Sequence, residues 1–71
     1  MEIVMSGHAL KQARERGVSI NEIKDAIKCG AKSLQNGKII SAYRHVKIVF
    51  KKQEDKFFII TVMIRSEKNG K

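Results

Sequence analysis

Several residue types that build special sites are scarce in this sequence. It has no proline and no tryptophan, and its single cysteine, Cys29, excludes an internal disulfide and a zinc site made of several cysteines. No apolar run reaches the roughly 18 residues that a transmembrane helix requires. The opening MEIVMSGHALKQ has neither the basic start nor the apolar stretch of a signal peptide. We therefore expect a cytoplasmic protein that does not enter a membrane.

The sequence also lacks the motifs that hold common cofactors and metals. It contains no P-loop, no dinucleotide-binding glycine pattern and no nucleophile elbow. Its two histidines, His8 and His45, have no carboxylate or thiol partner at a recognisable metal-binding spacing. We expect no cofactor and no metal, and we interpret Cys29, at the end of a helix, as inert.

Acidic residues are half as frequent as basic ones. Seven Asp and Glu against 15 Lys and Arg give a formal net charge of +8 and a sequence pI near 10.0. Such a charge attracts polyanions, of which nucleic acid is the commonest in a cytoplasm and an acidic protein the next. The alternative is that the charge serves solubility alone, as in lysine-rich proteins from hot environments. We favour the polyanion interpretation.

The length allows one domain with a small core. The 71 residues bury only about 60% of the surface that the unfolded chain exposes. Self-association into a homo-oligomer or binding of a partner protein would add stability.

The first half of the chain carries two helix signatures. Ser6 can cap a first helix that Gly17 ends. Ser19 and Glu22 form an S-x-x-E capping box in front of a second helix with helical apolar spacing, and Gly30 closes it.

From residue 31 onward, apolar residues recur at every second position, which is typical of β-strands and not of helices. Asn36 and Gly37 are typical of a tight hairpin turn, and Glu2 to Met5 fits a short edge strand. On the long strand from Phe57 to Arg65, alternation predicts one wholly apolar face, made of Phe58, Ile60, Val62 and Ile64. The predicted fold is α+β, with two N-terminal helices packed on one face of a three- to four-stranded antiparallel sheet. The domain would span residues 1–65, followed by a polar tail at residues 66–71.

The first candidate site lies on the first helix. His8, Gln12 and Arg16 are spaced at i, i+4 and i+8 and should share one polar strip. An imidazole beside a guanidinium suits proton transfer next to a phosphate. On spacing alone, a histidine that bonds to backbone or solvent near a helix N-terminus is the better interpretation.

The second candidate site is the turn Tyr43-Arg44-His45. A phenol, a guanidinium and an imidazole can activate a ribose hydroxyl, stabilise a crowded phosphate and protonate a leaving oxygen. An ordinary solvated hairpin corner is an equally good interpretation.

Basic residues on the strands form a third candidate. Lys47, Lys51 and Arg65 could line the open sheet face, with Thr61 facing the same way, and dock a phosphate backbone together with Arg44. Strand lysines that guard the sheet against edge pairing are the alternative. The net charge of the chain favours docking.

One family resembles this sequence. Residues 8–19 read HALKQARERGVS, and Glu22, Ile23 and Ala26 follow on the second helix. This stretch resembles the pattern H-A-x-x-R-x-x-x-R-G-[IV]-S/T of the domain-of-unknown-function family four-two-five-eight, over roughly residues 5–65. Residues 59–62, IITV, resemble its closing strand.

The resemblance implies the small RelE/BrnT-like toxin fold and a metal-independent ribonuclease or a degenerate relative of one. His8, Arg16 and Thr61 match its positions. Gln12 departs from it, since the family pattern has an arginine there, and Arg14 points about 200° away from that position.

We therefore predict an RNA-interacting protein, and possible partners are RNA or the ribosome and a small acidic antitoxin. The catalytic candidates are His8, Arg16, Tyr43 and His45, and the nucleic-acid-binding candidates are Arg44, Lys47, Lys51, Thr61 and Arg65. A non-catalytic module that binds nucleic acid or an acidic protein is the alternative.

Overall fold

A computed structural model describes residues 2–64 of the chain. Arg65 and the expected tail at residues 66–71 lie outside the described residues. The elements follow one another as β1 (Glu2–Met5), α1 (Gly7–Arg16), α2 (Ile20–Cys29), β2 (Ala31–Gln35), β3 (Lys38–Tyr43), β4 (Val46–Gln53) and β5 (Lys56–Ile64).

The local signals in the sequence are confirmed. The Ser6 side chain accepts a hydrogen bond from the Ala9 N–H, and Gly17 ends α1 in the left-handed conformation. Ser19 and Glu22 form both halves of the capping box. Asn36 and Gly37 both have positive φ, as the central residues of a type I′ hairpin turn do, and glycine adopts this conformation without strain.

The sheet differs from the prediction in strand number and in direction. It has five strands in the order β1-β5-β4-β3-β2, and it is mixed, because β1 pairs with β5 in parallel. Strands β2 to β5 pair antiparallel in sequence, as predicted. The expectation of a three- to four-stranded antiparallel sheet was wrong because it joined neighbours in sequence, whereas Glu2 pairs with Lys56, at the far end of the chain.

Both helices cover one face of this sheet, as predicted. Helix α1 packs on β5 and β1, and α2 packs on β3 and β4. The hydrophobic core between the layers contains Ala9, Ala13, Val18, Ile23, Ala26, Ile27, Val46, Ile48, Phe50, Ile59 and Val62. The second sheet face carries no helix in the described part of the chain.

Strand β5 contains a β-bulge that exchanges its two faces midway. Val49 pairs with Thr61, but Phe50 pairs with Ile59, so Ile60 is the extra residue. Strand β5 therefore contributes Ile59, before the bulge, and Val62, after it, to the core. The prediction of one continuous apolar face through Phe58 and Ile60 was wrong, because strict alternation fails where a residue is inserted.

The described residues contain no helix with the length and hydrophobicity that crossing a bilayer requires.

Candidate functional site

The turn between β3 and β4 forms a cleft with the first half of α2. Glu22 and Asp25 contribute the helix side of this cleft, and Tyr43, Arg44, His45 and Val46 contribute the turn side. The second sequence candidate therefore lies in a concave site that also contains two carboxylates. The cleft is defined here by these six residues.

The turn is tight and its first residue is held in an uncommon conformation. Tyr43 pairs with Val46, which leaves Arg44 and His45 as a two-residue connection. Arg44 has a φ of 58°, in the left-handed region that favours glycine. Keeping a non-glycine residue there costs on the order of 1 kcal/mol. The Arg44 guanidinium lies 5.3 Å from the centroid of the Tyr43 ring, which is a cation–π distance.

The imidazole of His45 faces a carboxylate from α2. Its Nε2 is 3.7 Å from Oε2 of Glu22, which is an ion-pair distance rather than a hydrogen bond. The other carboxylate oxygen, Oε1, accepts the Ser19 backbone N–H at 2.9 Å. The capping box therefore orients the Glu22 carboxylate, and its second oxygen faces His45. Both side chains are reachable from solvent, with 53% and 38% of their surface exposed, so the pair adds little to stability.

Sequence reasoning missed the acidic half of the cleft. The sequence singles out Glu22 only as a cap and does not single out Asp25. Their i, i+3 spacing indicates a shared helix edge, but nothing in the sequence reveals that this edge meets a turn some twenty residues later. The contact depends on how α2 packs over β3 and β4.

The strand lysines lie on the open sheet face, opposite the helices. Strand β4 alternates buried Val46, Ile48 and Phe50 with residues on that face. Lys47 pairs with Met63, and Lys51 pairs with Phe58, so these pairs share the open face. Thr61 pairs with Val49 and is half-buried on the same face.

The candidates on α1 lie apart from the cleft. His8 is exposed in the first turn of α1 and is not among the residues that line the cleft. Arg16 is exposed at the end of the helix, with its Nη1 3.9 Å from Oε1 of the neighbouring Glu15. The structure therefore brings Tyr43, Arg44 and His45 together and leaves His8 and Arg16 outside.

Gln12 contacts the sheet, whereas His8 and Arg16 on the same helix are exposed. Its Oε1 accepts the backbone N–H of Val62 at 3.0 Å. Strand β1 pairs only with residues 56–59 of β5, so this N–H lies beyond the reach of β1 and needs an acceptor from the helix. Gln12 therefore makes a structural contact with β5, which its spacing on the helix does not predict.

Residues 5–64 match the family described as Domain of unknown function (DUF4258). The chain belongs to this family. The match contains both helices, strands β2 to β5 and every residue of the cleft. Searches of curated proteins and of solved structures find no match to this chain.

The cleft of this DUF4258 domain contains groups that can transfer protons and a cation that can stabilise negative charge. Within residues 2–64, no three His, Cys, Asp or Glu side chains are grouped so that they could hold a metal ion. The cleft instead combines a carboxylate that can accept a proton, an imidazole that can donate one, a guanidinium and a phenol.

Proposed function

We propose that this protein interacts with RNA and cleaves it without a metal ion, as a ribonuclease of the RelE/BrnT-like toxin type. The observation that supports this most is the position of His45 beside Glu22, in a cleft that also holds Arg44 and Tyr43. A paired base and acid next to a guanidinium are the groups that cleavage of an RNA phosphodiester needs.

In the proposed reaction, the ribose 2′-hydroxyl attacks the adjacent phosphorus. Glu22 accepts the hydroxyl proton through Oε2, and a bond forms between O2′ and phosphorus. The bond from phosphorus to O5′ breaks, and protonated His45 gives its proton to that oxygen. Arg44 stabilises the charge on the non-bridging oxygens, and Tyr43 donates a hydrogen bond to them. The products are a 2′,3′-cyclic phosphate and a 5′-hydroxyl, so atoms and charge balance.

The open sheet face supports a path for the rest of the RNA. Lys51 and Lys47 lie on one side of β4, about 13 Å apart at the rise of a strand. His45 directly precedes β4, so a backbone that follows these lysines arrives at the turn. Phosphate contacts of this kind position a substrate without reading its sequence.

The proposal is tested by incubating purified protein with total RNA in EDTA and analysing the ends of any products. We expect cleavage to 2′,3′-cyclic ends, and we expect His45→Ala to slow it by about 10²- to 10⁴-fold, the usual contribution of general acid–base catalysis. Glu22→Gln keeps an acceptor for the capping box but removes the base, so it should lose activity while keeping its fold. His8→Ala, outside the cleft, is the control and should retain activity.

Persistent cleavage in the His45→Ala, Glu22→Gln double variant would contradict the proposed mechanism. Loss of cleavage in EDTA would contradict it as well.

A non-catalytic RNA-binding module is the second candidate function. The observation that favours it is the pair of carboxylates in the cleft, Glu22 and Asp25, which repel phosphate and leave the open face as the more cationic surface. Under this alternative, wild-type protein binds RNA but releases no cleaved ends in any buffer.

The proposal also includes a fold type and a protein partner. The first is that two helices on one face of a sheet with an open second face represent a RelE-type fold. The second is that the net charge of +8 is matched by a small acidic antitoxin. Co-purification of an acidic protein with the chain when it is expressed together with its neighbouring genes, followed by loss of RNA cleavage in the complex, would test the second point.

A further inference from the structure

Phe58 is a large aromatic residue on the open sheet face. It is 36% exposed, although it lies within β5, an interior strand of the sheet. Its neighbours across the strands are Lys51 on β4 and Val4 on β1. The ring therefore lies on an accessible surface, in a cross-strand pair with a lysine.

The bulge at Ile60 accounts for this arrangement. Strict alternation would put Phe58 and Thr61 on opposite faces, because three positions separate them. The inserted residue brings both to the open face, in neighbouring cross-strand pairs with Lys51 and Val49. Bulges often re-aim side chains at functional positions, and here the result is an aromatic residue beside the row of lysines on β4.

The open face is cationic around this ring. Across the described strands, register and alternation assign four lysines to it: Lys38, Lys47, Lys51 and Lys56. The same register assigns it one carboxylate, Glu2, opposite Lys56. A face with this charge balance is complementary to a polyanion rather than to a second copy of a chain that carries +8.

We propose that the open face binds single-stranded RNA, with Phe58 stacking on an unpaired base and Lys51 and Lys47 contacting the flanking phosphates. This inference rests on the proposed interaction with RNA but not on cleavage. Single-strand-binding surfaces combine a cationic track with aromatic rings on which bases stack. In a duplex, both faces of a base are covered by the neighbouring bases in the stack, so a ring on a sheet surface has no base face to contact there.

The test compares binding of a single-stranded RNA and of the same RNA annealed to its complement, in one buffer at one salt concentration. The DNA analogue of the single strand, which lacks the attacking 2′-hydroxyl, serves as a substrate that cannot be cleaved. We expect the wild-type chain to bind both single strands more tightly than the duplex.

Phe58→Leu removes the aromatic face but keeps an apolar side chain of similar size, so the fold should survive. We expect it to weaken single-strand binding by about 5-fold or more, and Phe58→Ala by up to about 150-fold. Leu34→Ala is the matched control, since Leu34 is 73% exposed on the opposite side of the sheet. It should bind like the wild type.

A second readout uses the absence of tryptophan from the chain. Phe58→Trp introduces a single tryptophan, which can be excited separately from Tyr43 and whose emission stacking on a base should quench. Leu34→Trp should keep its emission when the same RNA is added. Wild-type affinity in Phe58→Leu, or equal quenching at both positions, would overturn the proposal. A dimer that Phe58→Leu dissociates while RNA binding is unchanged would also overturn it and would assign the face to a second copy.

These results separate the two proposals. Phe58-dependent binding without any RNA cleavage supports this inference and contradicts the ribonuclease. Cleavage that needs His45 while Phe58→Leu binds normally supports the ribonuclease and contradicts this inference.

Discussion

At the scale of single residues, the contact between α2 and β3 leaves no space for a side chain at Gly30. The backbone N–H of Gly30 donates to the Ala26 carbonyl, and the hydroxyl of Ser41 donates to the same oxygen. Ser41 is fully buried, and this bond satisfies its hydroxyl. A Cβ at Gly30 would overlap the Ser41 hydroxyl and the Ala26 carbonyl. Gly30 is thus required by close approach and not by its φ of −71°.

We predict that Gly30→Ala lowers the free energy of unfolding by about 1–3 kcal/mol, the usual cost of overpacking. Gly7→Ala is the matched control, because a Cβ there meets nothing within 4 Å at the start of α1. It should be neutral or stabilise by up to about 1 kcal/mol. Urea denaturation of both variants measures the difference, and equal midpoints would contradict the proposed overlap.

Gln12 is a second residue whose role is structural. Because its carbonyl oxygen accepts the Val62 N–H, an arginine at this position, which has only donors, would leave a buried N–H unpaired. We predict that Gln12→Arg costs about 1–3 kcal/mol, whereas Gln12→Glu keeps an acceptor and costs less. If chemical denaturation finds Gln12→Arg as stable as the wild type, the bond to β5 does not stabilise the fold.

At the scale of elements, the capping box of α2 links stability to the candidate site. Ser19→Ala removes the acceptor for the Glu22 N–H, which is bonded at 3.2 Å, and should cost about 1 kcal/mol. For a domain of this size, that corresponds to a Tm lower by about 4–8 °C. Thermal melts followed by circular dichroism measure it. An unchanged Tm would mean that the cap contributes nothing to the fold.

The elements also explain which features could be predicted from sequence. Ser19, Glu22, Asn36 and Gly37 act on neighbours within three residues, so their pattern specifies the cap and the turn directly. The pairing of β1 with β5 and the extra residue Ile60 depend on contacts between distant parts of the chain. The spacing of apolar residues along a short segment therefore does not predict them.

The candidate site also consists of residues that the sequence could identify and residues that only the packing brings together. Tyr43, Arg44 and His45 are adjacent in sequence and were recognised as one group. Glu22 and Asp25 join them only when α2 packs on the sheet. His8 was a candidate because an imidazole and a guanidinium share a helix, but proximity on one helix does not bring them to a cleft formed elsewhere.

At the scale of the whole molecule, the net charge and the open sheet face both favour a polyanionic partner such as RNA. The chain carries +8 overall, and the sheet face that α1 and α2 leave open holds four lysines and one carboxylate among the described residues. Neutralising phosphates releases condensed counterions, so binding must weaken as salt rises. This dependence would report the proposed interaction with RNA whether or not the chain cleaves it.

The most direct measurement is therefore the affinity of the wild-type chain for an uncleavable single strand across a salt series. If the four open-face lysines contact phosphates, log K should fall with log salt with a slope of about −3, and Lys47→Gln should reduce the slope by about 0.7. Lys24→Gln, on the exposed side of α2, is the matched control and should leave the slope unchanged. No binding at low salt, or a slope near zero, would contradict the interaction with RNA on which the account depends.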